Sequence, residues 1–520
     1  MSQPGPDRVY DWLAYYAEFD PARLAAVDLA TGRQFGYGEF NARATRLATG
    51  LRERHGVRPG DRVAFLAHNS TDHFEAMFAC WKLGAIFVPL SWRLAPPELG
   101  AVLRDAQPRI VIHDAVFEPL LGTDETPRLA RATDAATAAD DPYEALLAEH
   151  EPRVRMYPAD FDTVNMLIYT SGTTGRPKGV IYTHRMTQNI VVHAALHARL
   201  RAHSRTLTYS PLFHSAGLNA LTTPSFHYGA AVFVMRQWDT EECFRLLVDR
   251  EAGITHTVGV PTTYILLSQL PQFATASFPT LEVAAVGAAP VPHYLLEAWD
   301  RRGLQLSQSY GLTEAFSVSF CPPEQSREKI GSAGHALMHI DVRIGDAQGR
   351  ELPRRECGEI QVRGPGVTPG YWRNPQASAA AFTADGWLRT GDAGYMTADA
   401  TIYVVDRLKD MYISGGENVY PAEVEDVIDS FDEVSQSAVV GIPDPRWGEV
   451  GGAFVQLRGG CELSAAQVLQ RCNERLARFK VPRYVSFVER LPLSPQGKVL
   501  KHELRRLSAE GRYWNAQVPP

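Results

Sequence analysis

The amino-acid sequence predicts an α/β fold: a large N-terminal domain of layered βα subdomains carrying a small sheet subdomain, followed by a small α+β C-terminal domain. Three observations predict it. A chain of 520 residues exceeds one ordinary core, and its 45% hydrophobic content fills at least two. β-rich runs such as 62–66 alternate with helical patterns such as 76–83 and 186–200, the signature of βα layering. Finally, Asp406-Arg-Leu-Lys-Asp-Met is a charged break, after which Ser414-Gly-Gly-Glu-Asn and Pro421-Ala-Glu-Val-Glu open a new texture.

Taken in chain order, residues 115–160 are rich in Ala, Asp, Glu and Pro with weak periodicity, and read as a surface excursion with a little helix, remote from function. The apolar run 164–169 reads as a buried strand. A second βα series ends near 304–310, and β-rich runs at 340–344, 359–363, 387–390 and 401–405 suggest a smaller sheet packed on the first. The domain border is placed near Lys409, dividing 1–408 from 409–520, and the C-terminal part reads strand, strand, helix, strand, helix.

Composition excludes several classes. A net charge of −7 with mixed signs gives no basic field for nucleic acid, while local cations can still hold a small anion. No run of eighteen apolar residues is present and residues 1–8 carry no signal-peptide pattern, so no transmembrane segment and a cytoplasmic location are expected. Six cysteines without a CxxC pair fit reduced thiols rather than a zinc site or a disulfide framework.

The run Thr170-Ser171-Gly172-Thr173-Thr174-Gly175-Arg176-Pro177-Lys178-Gly179 reads as a phosphate cradle. Glycines let the backbone approach an oxyanion, hydroxyls donate to it, and Arg176 and Lys178 offset polyphosphate charge. It is not a Walker loop, because Lys178 is followed by Gly179 and an apolar run rather than by Ser or Thr opening a helix. The ligand suggested is a nucleotide.

With this run, the segments 211–217, 287–290, 308–314, 371–375, 386–392, 406–410, 414–421, 447–449 and 495–498 occur in the order found in the adenylate-forming superfamily, and the chain resembles its acyl-CoA synthetases, bacterial fatty-acyl-CoA ligases above all. The resemblance implies ATP, Mg²⁺ and coenzyme A as cofactors and an acid:CoA ligase that works through an acyl-adenylate. It implies that Tyr310 stacks on adenine, Thr313 touches the α-phosphate and Glu314 holds Mg²⁺. Asp392 would take the ribose hydroxyls with Arg407 nearby, and Thr174, Lys178 and Lys498 would act in catalysis. Lys498 is implied as the adenylation lysine, bridging the carboxylate and the α-phosphate.

The same resemblance implies a mobile C-terminal domain turning about Lys409, which withdraws Lys498 and presents Gly415 and Gly416 as a slot for pantetheine. Trp447, Phe479 and Arg483 would line the CoA path, and His214 would gate the acyl pocket sterically. If the family register holds, that pocket is lined by 213–217, Phe226, Val260, Tyr264, Gly287, Ala288, Ala289, 309–311 including Gly311, and Phe316. Small residues at 287–289 would admit a hydrophobic long-chain or bulky polycyclic carboxylic acid. Transfer to a carrier-protein phosphopantetheine, or proficiency in one half-reaction only, are the alternatives, and a homodimer is admitted. Before Tyr403 the chain reads Thr397-Ala-Asp-Ala-Thr-Ile, without the Asp-Gly turn common in relatives. The histidine pairs His193/His197 and His335/His339 lack an HExxH glutamate and read as ordinary histidines.

Overall fold

A computed structural model describes residues 8–132, 141–170, 177–289, 291–408, 410–414, 417–493 and 499–511, with the backbone of 516–517. Its strands form four sheets among the described residues, and the architecture is the mixed α/β one expected, a large N-terminal domain with a small C-terminal domain.

The first sheet runs from Gln34–Gly36 at one edge to His335–Ala336 at the other, and its middle is parallel: Leu24–Asp28, Ala231–Val234, Arg205–Thr208, His256–Gly259, Val283–Gly287 and Leu306–Leu312. Strand Val283–Gly287 is buried throughout, as its sequence Val-Ala-Ala-Val-Gly, without a polar side chain, allows. The second sheet orders Arg128–Arg131, Ile110–Asp114, Arg62–Leu66, Ile86–Leu90, Val164–Thr170 and Lys178–Thr183. Its last pair is an antiparallel hairpin.

Helix Asp72–Leu83 is buried at every position, four residues longer at its N-terminus than periodicity suggests. The extension was hidden because it carries Asp72 and Glu75, charges that a buried helix excludes unless paired. Both are paired. Asp72 meets Arg33 and Arg131, and Glu75 meets Arg43 at 2.6 Å.

The expected surface excursion at 115–160 needs correction. It contains a strand, Arg128–Arg131, and a helix, Pro142–Glu149, whose Tyr143, Leu146 and Leu147 are buried. That i, i+3, i+4 spacing is short enough to be lost among the surrounding polar residues.

The smaller antiparallel sheet runs Asp341–Gly345, Gly358–Arg363, Leu388–Met396, Ile402–Arg407, close to the four β-rich runs. In its last turn Ala400 stands at φ +64°, the left-handed position that glycine fills in an Asp-Gly turn. The small domain has the hairpin Val434–Asp444/Gly448–Leu457, helix Ala465–Arg475, strand Tyr484–Phe487 and helix Lys501–Ala509, in the order expected. A short hairpin, Tyr412–Ser414/Glu417–Val419, and helix Pro421–Asp429 precede them. No helix among the described residues is long and apolar enough to cross a membrane. All six cysteines are free.

Candidate active site

Two hairpins from two different sheets supply the centre of the site. In the first, Thr170 pairs with Lys178, so both flanks of the phosphate run are fixed side by side. Ser171, Gly172, Thr173, Thr174 and Gly175 lie outside the described residues. In the second, Leu306–Leu312 turns through Thr313 and Glu314 into Ala315–Phe320. The Ser-Tyr-Gly-Leu-Thr-Glu run thus sits at a strand's carboxyl end and in the turn that follows it.

The turn is tied to its surroundings. Tyr182 donates its hydroxyl to the Thr313 carbonyl at 2.7 Å, and the Ser215 and Thr313 hydroxyls stand 3.4 Å apart. Tyr371 donates its hydroxyl to Glu314 Oε1 at 2.8 Å, while the Lys178 ammonium lies 5.0 Å from the centre of the Tyr371 ring. A cation over a tyrosine face is attracted by the ring quadrupole. Burial, and then the Glu314 charge, push the Tyr371 phenol upward, so it stays a donor.

The nucleoside side is equally connected. Tyr310 donates its hydroxyl to Asp392 Oδ2 at 2.7 Å, and Arg407 Nε stands 3.7 Å from Asp392 Oδ1. Asp392 and Arg407 face each other in the register of Leu388–Met396 and Ile402–Arg407. Burial first, then Asp392, raises the Tyr310 phenol well above its ordinary value. The expected adenine platform and ribose acid therefore share one hydrogen bond, across 82 residues of chain.

His214 precedes helix Ser215–Asn219 at its N-cap, with its ring 4.4 Å from that of Phe213. Of the other residues expected around the acyl group, Val260 and Phe316 are partly exposed, as are Ala289, Tyr310 and Gly311. Phe226 and Tyr264 are not. Phe226 stacks on Phe40 at 5.6 Å inside the main core, and Tyr264 is fully enclosed with its hydroxyl on the Ala285 carbonyl. Both rings fill core space between layers, which sequence register cannot distinguish from a pocket wall.

Gly287 also has a different cause from the one expected. A Cβ there would meet the Ser309 carbonyl oxygen at 2.3 Å and Ser309 Oγ at 2.6 Å. The close approach of the parallel neighbour requires glycine. Ala288 beside it is exposed and holds φ +65°, a left-handed conformation that non-glycine residues seldom adopt.

Trp447, Phe479 and Arg483 belong to the small domain. Trp447 is 43% exposed with Arg446 5.0 Å from its ring, Phe479 is 38% exposed, and Arg483 pairs with Asp444 at 3.4 Å. Lys409, Gly415, Gly416 and Lys498 lie outside the described residues. The flanks are defined: Ser414 pairs with Glu417, and Leu493 bridges Val499.

No cluster of three metal-ligating side chains occurs among the described residues. His193 uses Nε2 on the Met338 carbonyl at 2.7 Å, and His335 approaches Lys329 at 3.2 Å, ordinary structural roles. Sequence reading missed Tyr182, Ser215 as a Thr313 partner, and the role of Tyr371. Ser215 and Tyr371 lie in segments that the resemblance singles out, but no local signal gives these contacts, since each partner lies tens of residues away.

The family model of the AMP-binding enzymes matches residues 13–372, and that of the AMP-binding enzyme C-terminal domain matches 423–498. The chain is 40% identical over 479 residues to a feruloyl-CoA synthase of an Amycolatopsis species, covering 91% of this chain and 94% of that protein. It is 36% identical over 497 residues to a long-chain-fatty-acid–CoA ligase of Mycobacterium tuberculosis, covering 94% and 96%. The solved structure of o-succinylbenzoate CoA synthetase from Bacillus subtilis, in complex with its acyl-adenylate intermediate, is similar with a TM-score of 0.84 at 32% identity, covering 96% and 98%.

Proposed function

Because the chain belongs to the AMP-binding enzyme family, the adenylate-forming acyl-CoA synthetases, and is an AMP-forming CoA ligase, we propose that it activates a hydrophobic monocarboxylic acid, long-chain or bulky polycyclic, for transfer to coenzyme A. ATP supplies the adenylyl group, the acid becomes an acyl-adenylate, and the thiol of coenzyme A displaces AMP. The observation that carries the reading is the convergence of Tyr310–Asp392 and Lys178–Tyr371–Glu314 on the two sides of one hairpin turn.

Each group has a task in this reading. Tyr310 offers its face to adenine, and Asp392 accepts from ribose. Lys178 offsets phosphate charge at the mouth of the 170–179 run. Lys498 bridges the attacking carboxylate and the α-phosphate, where positioning and charge stabilisation dominate phosphoryl-type transfer. Glu314 suits Mg²⁺: one oxygen is taken by Tyr371, Oε2 has no partner among the described residues, and a lone hard carboxylate completed by phosphate oxygens is the usual Mg²⁺ arrangement. When bound, Mg²⁺ would offset charge on the leaving pyrophosphate. A border near Lys409, with the small domain turning about it to exchange Lys498 for the 414–416 segment, belongs to the same proposal.

Support for a hydrophobic acid comes from Val260, Ala289 and Phe316, apolar residues of the expected acyl wall that are partly exposed. An aryl acid is the second reading, favoured by the 40% identity to the feruloyl-CoA synthase. Competition of long-chain, polycyclic and aryl acids, with ATP and either coenzyme A or a holo-carrier protein, separates these by which thioester forms. A long-chain or polycyclic acyl-CoA is expected. Preference for an aryl acid, or acylation of the carrier alone, overturns the finer proposal. Lys498→Ala should lose on the order of 100-fold or more with ATP and much less from supplied acyl-adenylate.

A further inference from the structure

We propose that Tyr371 is a positioning residue which sets the spacing between the Lys178 ammonium and the Glu314 carboxylate, and so fixes where a metal-bound triphosphate sits. The inference rests on the nucleotide reading above and deepens it, giving Tyr371 a task beyond its hydrogen bond to Glu314.

The geometry is carried by a strap, residues 367–372, laid across both hairpins of the site. Ala315 bridges Val367 and the Thr368 amide donates to the Glu314 carbonyl at 2.8 Å, so the strap begins on the turn that bears the carboxylate. It then crosses to the phosphate hairpin. Ile181 donates its amide to the Gly370 carbonyl at 3.1 Å, Val180 bridges Tyr371, and the Trp372 amide donates to the Gly179 carbonyl at 2.7 Å. The two hairpins belong to different sheets, and this backbone bridges them.

Tyr371 is the strap residue whose side chain reaches both functional groups. Its hydroxyl holds Glu314 Oε1 at 2.8 Å, and its ring lies 5.0 Å beneath Lys178. Its amide donates to Ser378 Oγ at 2.8 Å, which fixes the backbone from the far side. One oxygen of Glu314 is thereby oriented, leaving Oε2 toward a cation, and the Lys178 cation is kept from closing on the carboxylate. A partner that orients a metal-holding carboxylate in this way commonly affects metal affinity by about ten-fold or more when lost.

Two substitutions separate the contributions. Tyr371→Phe keeps the ring under Lys178 and removes only the hydroxyl; Tyr371→Leu removes both. Calorimetric titration of ATP into the full chain, at stepped Mg²⁺ concentrations and in EDTA, reads binding without turnover. Thermal unfolding checks that each variant is folded. Tyr371→Phe should shift the Mg²⁺ midpoint upward by about ten-fold with metal-free ATP binding unchanged. Tyr371→Leu should show that shift and also weaken metal-free binding. An unchanged Mg²⁺ midpoint in Tyr371→Phe, or an equal loss of metal-free binding in both variants, overturns the inference. Failure of the nucleotide reading looks different: the unsubstituted chain itself would bind no ATP with or without Mg²⁺.

Discussion

At the scale of single residues, Gly287 decides between two explanations of one sequence feature. If small size there served to widen the acyl pocket, Gly287→Ala would alter which acid is used and leave stability unchanged. The structure assigns the glycine to the contact with Ser309, whose carbonyl oxygen would lie 2.3 Å from the new Cβ. That atom is backbone of the parallel strand paired with Gly287, so it cannot swing aside. Gly287→Ala is therefore expected to destabilise by about 2 kcal/mol, in the range of core overpacking, with a lower thermal midpoint measured without substrate. A normal midpoint with altered acid preference would restore the pocket explanation. Motif reading found the position and the wrong reason, because a close approach between strands leaves no trace in either strand's own sequence. Tyr310, Glu314 and Asp392 were legible for the opposite reason: their segments carry the chemistry locally.

At the scale of elements, helix Asp72–Leu83 shows why charged residues obscured part of the fold. Its first turns hold Asp72, His73 and Glu75, all buried, and a reading by hydrophobic period starts four residues late. Burial opposes the Asp72 charge, but Arg131, then Arg33 and Arg43, outweigh it and hold the carboxyl at about 2. Burial also pushes His73 from its ordinary 6.5 to about 3, and Arg131 adds to this, so the ring is neutral when folded. Unfolding lets that ring take a proton below pH 6.5. Its stabilising contribution is thus complete above 6.5 and is lost as pH falls toward 3, at up to about 1.4 kcal/mol per unit. Asp72 adds almost nothing between pH 7 and 5, because its own loss begins near its ordinary value of 3.8. His184 and His193, each held near 4 by burial, act in the same sense as His73, while burial of Glu75, Glu425 and Asp429 raises their carboxyls and acts oppositely. A difference measurement isolates one ring. Among the described residues neither His73 nitrogen has a hydrogen-bond partner, and the ring packs 4.4 Å from Phe65, so His73→Leu replaces it with an apolar side chain. Between pH 7 and 5 the variant should lose less stability in urea than the parent chain, by up to about 2 kcal/mol. Equal losses would show that His73 takes its proton in the folded state.

At the scale of the whole molecule, Asp406 joins the two domains. It lies in Ile402–Arg407, the last strand of the large domain's antiparallel sheet, and its Oδ2 accepts the Ala422 amide at 2.9 Å, in the first turn of helix Pro421–Asp429 of the small domain. Oδ1 accepts the Arg407 amide at 2.7 Å, which fixes the side chain. A carboxylate in this place satisfies an amide that a helix start leaves open, and its charge suits the positive end of the helix. Lys501, paired with Glu425 at 2.8 Å in the same small domain, feels Asp406 as well. Among the described residues the other hydrogen bonds across the seam are longer: Cys357 Sγ to the Tyr420 hydroxyl at 3.5 Å, and the His293 amide to Asp426 Oδ1 at 3.4 Å. Asp406 thus makes the shortest of these hydrogen bonds among the described residues, and losing a helix-start acceptor costs about 1 kcal/mol, or about five-fold in an opening equilibrium. Asp406→Ala should speed limited proteolysis across 407–411 by about that factor, with the large domain's thermal midpoint retained. ATP binding should change little, because Asp392, Tyr310 and Glu314 are held by bonds that do not include Asp406. Proteolysis at the parent rate would mean that the longer contacts, not this carboxylate, hold the seam. The charged break visible in the sequence at 406–411 itself supplies this tie, whereas the longer contacts, made between surfaces far apart in the chain, could be found only in the assembled structure.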